Sequence, residues 1–415
     1  MSADSTFKRL TDNFIALSSL QLINYVLPLF LIPILIQTLG MEGFGIYAFV
    51  FAIATYGMTF ADYGFDLSAT YHISLHKDNP QKINEIFSSV LFIKLSLALL
   101  FLMLITLTTY SVEKLHLYQE LIFYSYGMIL GNVLLPLWFF QGIEKMRFIM
   151  YLNGFLKLSF FILVILFIRK PEDIALLMLL HSITALLVGF LALYLSHKKF
   201  HIKFVSLQKA QVLFYLKDGW YIFTSKIAVE FYSTASTIIV GFFVSPLILG
   251  YYALALKIMF AIGNLLDPIT RVMYPYLLGV YQNSNQSFIK RNKQLSLLIL
   301  LIMVPLSALV YLFAREILEI ISKENITELN VQLLQLSALL LIVFPYASQF
   351  TNMLVTIKET KALNKILISA AIINVFFAPI ILEFYGIIGM MWLHVFIAYY
   401  LIFTKFYTVY TKLKK

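Results

Sequence analysis

The 415-residue chain has no cysteine, which excludes disulfides, thiolate metal sites and cysteine nucleophiles. It is also poor in charge. Only 13% of residues are Asp, Glu, Lys or Arg against 61% hydrophobic, and the mean hydropathy is +0.86, a balance that cannot cover a soluble surface. The seven histidines include no HExxH, and neither GxGxxG nor GxxxxGK[ST] occurs, so no metal, dinucleotide or nucleotide-phosphate motif is present. Long polar stretches are missing too. The longest candidate loops, 196–211 and 315–329, are too short to fold alone, so no extramembrane catalytic domain is expected, and neither enzymatic activity nor a cofactor.

What the chain has in abundance is apolar length. Residues 12–409 break into about twelve apolar runs of about 20 residues or more, the length a helix needs to cross a hydrocarbon core about 30 Å thick. Spans are expected at 12–37, 43–66, 85–109, 118–140, 149–168, 173–195, 211–241, 248–277, 293–313, 329–356, 362–382 and 386–409, giving an all-α polytopic membrane protein. Lys8 and Arg9 precede the first run. That run is too long for a signal peptide and lacks a small-residue cleavage site, so it reads as a retained helix.

The net charge of +10 is not a nucleic-acid stripe, because the basic residues mark helix ends. When alternate loops are assigned to opposite sides, one side holds Lys8, Arg9, Lys77, Lys82, Lys198, Lys199, Lys290, Arg291, Lys412 and Lys414 among others. The other side holds only Lys114, Arg169, Lys170, Arg315 and Lys323. The positive-inside rule makes the first side cytoplasmic, with both termini inside.

Internal duplication is a common transporter device. At an offset of 205 residues, Gly45, Tyr47, Ala48, Ile53 and Asp62 coincide with Gly250, Tyr252, Ala253, Ile258 and Asp267. With the basic, polar stretch 196–211 at mid-chain, this predicts two parallel six-helix bundles, 1–200 and 201–415.

Two strings then carry a family resemblance: DYGFDLSAT at 62–70 and PLWFFQGIEKM at 136–146. Both resemble the Wzx-type O-antigen flippases, the polysaccharide branch of the MOP exporter superfamily. The opening 13–45, with Asn24, Tyr25, Pro28, Pro33 and LGMEGFG at 39–45, is similar to the first hairpin of that family. The resemblance implies translocation of an undecaprenyl-diphosphate-linked glycan across a bacterial inner membrane, with membrane lipids, a polysaccharide polymerase and a chain-length regulator as partners.

A diphosphate crossing hydrocarbon needs cations in a wet cavity, and charged residues inside spans are costly unless they face such an interior or a partner. The candidates are Lys94, Lys157, Lys226, Glu230 and Lys257, with Asp62, Asp218, Asp267 and Arg271 nearer the cytoplasmic ends. Lys257 lies roughly 14 Å along its helix at about 1.5 Å per residue, near mid-membrane, and no acidic residue stands three or four positions away. Lys226 and Glu230, and likewise Asp267 and Arg271, are i, i+4 pairs that can neutralise each other. Lys94 and Lys157 can instead snorkel. Lone His181 and His394 read as hydrogen-bonded core residues, and Tyr221, Tyr232, Tyr251 and Tyr252 are candidate sugar contacts.

The sequence thus predicts a flippase with Lys257, Lys226, Lys157 and Arg271 as diphosphate ligands, and Asp62, Glu230 and Asp267 in gating or ion coupling. A multidrug or metabolite antiporter of the same superfamily is the alternative; it would want acidic cavity residues for cationic drugs. A membrane glycosyltransferase or ligase would need a larger outer loop than 315–329.

Overall fold

The computed structural model describes the backbone of residues 3–323 and 326–413, and side chains outside 3–26, 28, 29, 267–269, 271, 272 and 275. Among the described residues the regular structure is helical, with no strand. The helices are α1 (Ala3–Asp62), α2 (Phe65–Leu75), α3 (Pro80–Ser111), α4 (Glu113–Leu117), α5 (Gln119–Leu134), α6 (Leu137–Gly142), α7 (Met146–Phe167) and α8 (Ile174–Phe200). They continue as α9 (Lys209–Tyr232), α10 (Thr234–Phe243), α11 (Pro246–Gly263), α12 (Asp267–Asn283), α13 (Asn285–Leu312), α14 (Ala314–Ser322), α15 (Glu328–Thr356) and α16 (Thr360–Leu413). Helix starts follow local chemistry. Asn79 and Ser245 accept from the backbone N–H three residues on, and Pro80 and Pro246 occupy the first turns of α3 and α11, where no donor is lost.

Ten stretches among the described residues are long and apolar enough to cross a membrane. Two of the helices are too long for one crossing, because 60 and 54 residues correspond to about 90 and 80 Å at about 1.5 Å per residue. α1 loses helical geometry at Gly40 (φ 72°) and α16 at Gly386 (φ 60°), a left-handed φ that glycine adopts without a Cβ clash. Gly40 falls between two spans expected from sequence, and Gly386 is the first residue of the last expected span. Further breaks among the described residues lie inside expected spans: Tyr63 and Gly64 between α1 and α2, Leu135 and Pro136 before α6, Ser233 between α9 and α10, and the 3₁₀ turn Asn264–Leu266 between α11 and α12.

The chain forms two compact units, one of Met1–Leu31 with Phe49–Glu230, the other of Ile32–Ala48 with Phe231–Lys415. In the first unit α5 packs on α8 through small residues. A Cβ on Gly131 would run into the Ala185 backbone, and one on Gly189 would meet the Gly131 carbonyl, the close approach that membrane helices use in place of a hydrophobic drive. α2 lies on α6, where Thr70 Oγ1 donates to the Trp138 carbonyl at 3.1 Å and Gly142 abuts Ile73. The two strings that carry the family resemblance therefore pack against each other, with Trp138, Phe139 and Phe140 buried. In the second unit Gly45 and Gly250, which coincide at the 205-residue offset, meet: a Cβ on Gly45 would strike the Pro246 carbonyl, and one on Gly250 the Met41 carbonyl. Large apolar side chains such as Leu99, Met103 and Leu107 on α3 stay exposed, as a lipid-facing surface requires.

Candidate functional site

The densest intramembrane charge in the first unit gathers where α1 ends. Asp62 is the last residue of α1, and the left-handed Tyr63 and Gly64 turn the chain into α2, which brings Asp66 back beside it. Tyr63 stacks on Phe223 of α9 with ring centroids 4.5 Å apart and donates its hydroxyl to the Leu216 carbonyl. Those contacts hold α9 against the turn and aim Lys226 at both aspartates. Its Nζ lies 2.5 Å from Asp66 Oδ1 and 3.4 Å from Asp62 Oδ2. From α3, Lys94 donates to Asp62 Oδ1 at 3.0 Å with a side chain only 2% exposed. The snorkelling alternative for Lys94 is thereby overturned: its ammonium turns inward to a carboxylate.

Glu230, one turn beyond Lys226, accepts from Thr59 Oγ1 at 3.2 Å. The i, i+4 neighbours thus engage different groups, Lys226 the aspartates and Glu230 a hydroxyl of α1. Beside them opens a cavity of about 310 Å³ lined by Met58, Thr59, Asp62, Asn132, Lys226, Val229 and Glu230. Its wall presents one ammonium, two carboxylates, an amide and a hydroxyl. It can hold a small polar or ionic group, with Lys226 available to an anion only where the aspartates release it.

Lys257 belongs to the second unit, on α11, with its Nζ 5.8 Å from the Phe44 ring centroid and 5.6 Å from that of Tyr47. Such contacts contribute about 0.5–2 kcal/mol each where water is excluded, part of what an intramembrane ammonium needs. Lys157 on α7 is not in the Asp62 cluster and makes no ion pair or hydrogen bond among the described residues. The side chains of Asp267 and Arg271 lie outside the described residues.

Several sequence signals were incomplete. Lys405, inside the span expected at 386–409 but absent from the intramembrane candidates drawn from sequence, is 3% exposed and donates to the Ala347 carbonyl and Thr351 Oγ1 at 3.3 and 3.0 Å. The i, i+4 pairs His72/His76 and His197/His201 have the spacing of a helical metal pair, which the motif reading passed over. His72 Nε2 bonds Asp218 at 2.9 Å, while His76 Nδ1 and His197 Nδ1 donate to backbone carbonyls, and no group of three metal-competent side chains occurs among the described residues. Tyr252 is fully buried and Tyr251 nearly so, which removes both from direct contact with a sugar. His394 is, as expected, a hydrogen-bonded interior histidine.

Residues 10–279 match the family described as "Polysaccharide biosynthesis protein", and residues 282–380 match "MatE". The chain is 35% identical over 266 residues to the Escherichia coli (strain K12) protein named "Putative O-antigen transporter", a match covering 64% of each chain. It thus aligns with less than two thirds of that relative. Among solved structures it is similar to the lipid II flippase MurJ in an inward closed conformation, with TM-score 0.76, 15% identity and coverage of 95% of this chain and 87% of that one. It is also similar to an inward-facing multidrug resistance MATE family transporter of the MOP superfamily, with TM-score 0.71, 13% identity and coverage of 96% and 97%. At those identities the structural likeness speaks to fold, while the family match spans well over half the sequence: the chain belongs to the polysaccharide biosynthesis protein family, with the polytopic helical fold of MOP transporters.

Proposed function

We propose that the protein is a flippase that moves an undecaprenyl-diphosphate-linked oligosaccharide, an O-antigen repeat or similar unit, from the cytoplasmic to the periplasmic leaflet of a bacterial inner membrane by alternating access. The observation that carries this reading is the family match over residues 10–279, and the identity with a relative named for O-antigen transport adds to it. Membrane lipids would cover the apolar exterior, and a polymerase and chain-length regulator would take the flipped unit onward. Twelve crossings, with both termini cytoplasmic and halves 1–200 and 201–415, complete the reading.

In this mechanism Lys226 and Lys257 neutralise the diphosphate, with Lys157 and Arg271 assisting. A diphosphate reaches Lys226 only as Asp66 and Asp62 let go, so the aspartate pair acts as a latch that keeps the ammonium compensated while substrate is absent. Glu230 and Asp62 on the cavity wall, with Asp267, are the residues proposed for gating or for a coupling ion.

One observation favours the antiporter alternative: two carboxylates against one ammonium on that wall suit a cation. Deleting the gene separates the two. The flippase reading predicts loss of surface polysaccharide, with undecaprenyl-linked repeat units accumulating on the cytoplasmic leaflet. Unchanged polysaccharide in a strain with no second transporter, together with raised sensitivity to cationic drugs, would reject it in favour of the antiporter.

A further inference from the structure

The ion pairs around Asp62 leave one corner of the adjoining cavity unsatisfied. Glu230 Oε1 accepts from Thr59 Oγ1 at 3.2 Å, but Glu230 Oε2 is shut off from water and has no hydrogen-bond partner among the described residues. An acceptor left without a donor in such a place costs free energy until a donor arrives. On the same cavity wall the half-buried side-chain amide of Asn132, on α5, makes no hydrogen bond among the described residues. It offers both a donor and an acceptor. Asp62 is different, because its two oxygens are taken by Lys94 and Lys226. The carboxylate left for an incoming group is that of Glu230.

Three classes of group compete for this corner. A cation would share the wall with the Lys226 ammonium, and an acidic group would face the carboxylates of Glu230 and Asp62. A hydroxyl meets neither objection. It donates to the carboxylate or to the amide oxygen, and it accepts from the amide N–H or from an ammonium. The cavity, about 310 Å³, stands at the small end of the about 300–1,000 Å³ that hold small ligands. That is the scale of one sugar ring rather than of an oligosaccharide.

We propose that Glu230, Thr59 and Asn132 form a subsite for the hydroxyl groups of an uncharged sugar, and that Glu230 excludes acidic sugars from it. The inference rests on the flippase reading and names the class of sugar that its cavity accepts. Lys226 fixes which ring of the glycan this is. Glu230 stands one turn further along α9, about 6 Å at about 1.5 Å per residue. A phosphate held at Lys226 therefore sets the ring bonded to it beside Glu230. Selection follows from two effects on one carboxylate: it is paired by a hydroxyl donor, and it repels a like charge where water is scarce. Asp62 and Asp267 remain the residues for gating or a coupling ion.

The test compares two probes that differ at one carbon, undecaprenyl diphosphate carrying either glucose or glucuronate. In proteoliposomes each is followed as the fraction of sugar oxidised by pulses of impermeant periodate, which cleaves the vicinal diols of both. Wild-type protein should move the glucose probe at least about tenfold faster than the glucuronate probe, the discrimination expected of like charges brought together. Glu230→Gln, which removes the charge and keeps the shape, should narrow that ratio to about threefold or less. Equal wild-type rates overturn the proposal and leave the flippase reading intact. A Glu230→Gln variant that slows both probes alike, with the ratio kept, also overturns it, since that is the behaviour of a coupling-ion ligand. Should Glu230→Gln fail to give monodisperse protein, Asn132→Ala decides: it should slow the glucose probe more than the glucuronate probe, and an unchanged ratio overturns the proposal. Wild-type protein that moves neither probe rejects the flippase reading itself, and the subsite with it.

Discussion

Replacing Lys94 by methionine should destabilise the first unit by about 3 kcal/mol, the lower end of what removing one partner of a buried ion pair costs. Lys94 is 2% exposed and Asp62 19% exposed, so the variant leaves Asp62 in low dielectric with Lys226 as its remaining cation. That second partner, 3.4 Å away, keeps the cost from the upper end. For a unit of this size the loss corresponds to roughly 6–12 °C in the midpoint of thermal unfolding in detergent. Lys94→Met with Asp62→Asn should recover most of it, because the stranded charge is gone. Lys82→Ala, which removes a half-exposed pair with Glu85, should cost about 0.5 kcal/mol or less. An equal shift for Lys94→Met and Lys82→Ala would mean that the Asp62 cluster is not a buried electrostatic unit.

That cluster marks where the sequence stopped being informative. The spans were legible because bilayer thickness imposes a length on every apolar run, and the breaks at Gly40 and Gly386 fell where hydropathy already dipped. Asp62, Lys226 and Glu230 stood out because intramembrane charge is rare. Their pairing was not legible. Lys94 and Asp62 are 32 residues apart, and Lys226 is 164 from Asp62, so the i, i+4 rule tied Lys226 to Glu230 when tertiary packing tied it to the aspartates. The compensation of Lys257 by Phe44 and Tyr47 was hidden for the same reason. The break at Ser233 carries no proline and so gave no signal. Lys405 was a charge inside the last expected span that the list of intramembrane candidates passed over, and its partners Ala347 and Thr351 lie more than 50 residues away in sequence.

Lys226→Ala and Lys257→Ala should each abolish most transport while protein level in the membrane stays normal. Both ammonium groups sit within apolar spans, where an ionised side chain costs about 2.5–3.5 kcal/mol or more unless compensated. The compensation differs between the two. Lys226 is held by Asp62 and Asp66, so Lys226→Ala also strands carboxylates, and its loss of stability should be relieved by Asp66→Asn while its loss of transport is not. Lys257 lies over two aromatic faces, so Lys257→Ala should lose transport without the relief of stability by Asp66→Asn that Lys226→Ala shows. Lys257→Arg should retain part of the activity, because charge and stacking survive although geometry changes. Surface polysaccharide in a deletion strain complemented by each variant reads transport, and membrane immunoblots read protein level. Full complementation by Lys257→Ala would make Lys257 a structural lysine and leave Lys226, Lys157 and Arg271 to be searched for the phosphate site.

The most direct measurement is flipping itself. Purified protein reconstituted into liposomes with a fluorescent undecaprenyl-diphosphate-linked oligosaccharide should move the probe between leaflets, followed as the fraction that an impermeant quencher reaches over time. The account predicts quencher access rising from half toward completion with wild-type protein, and remaining at half in protein-free liposomes and with the Lys226→Ala, Lys257→Ala double variant. Wild-type liposomes indistinguishable from protein-free ones, while the same preparation exchanges a cationic drug for protons, would contradict it.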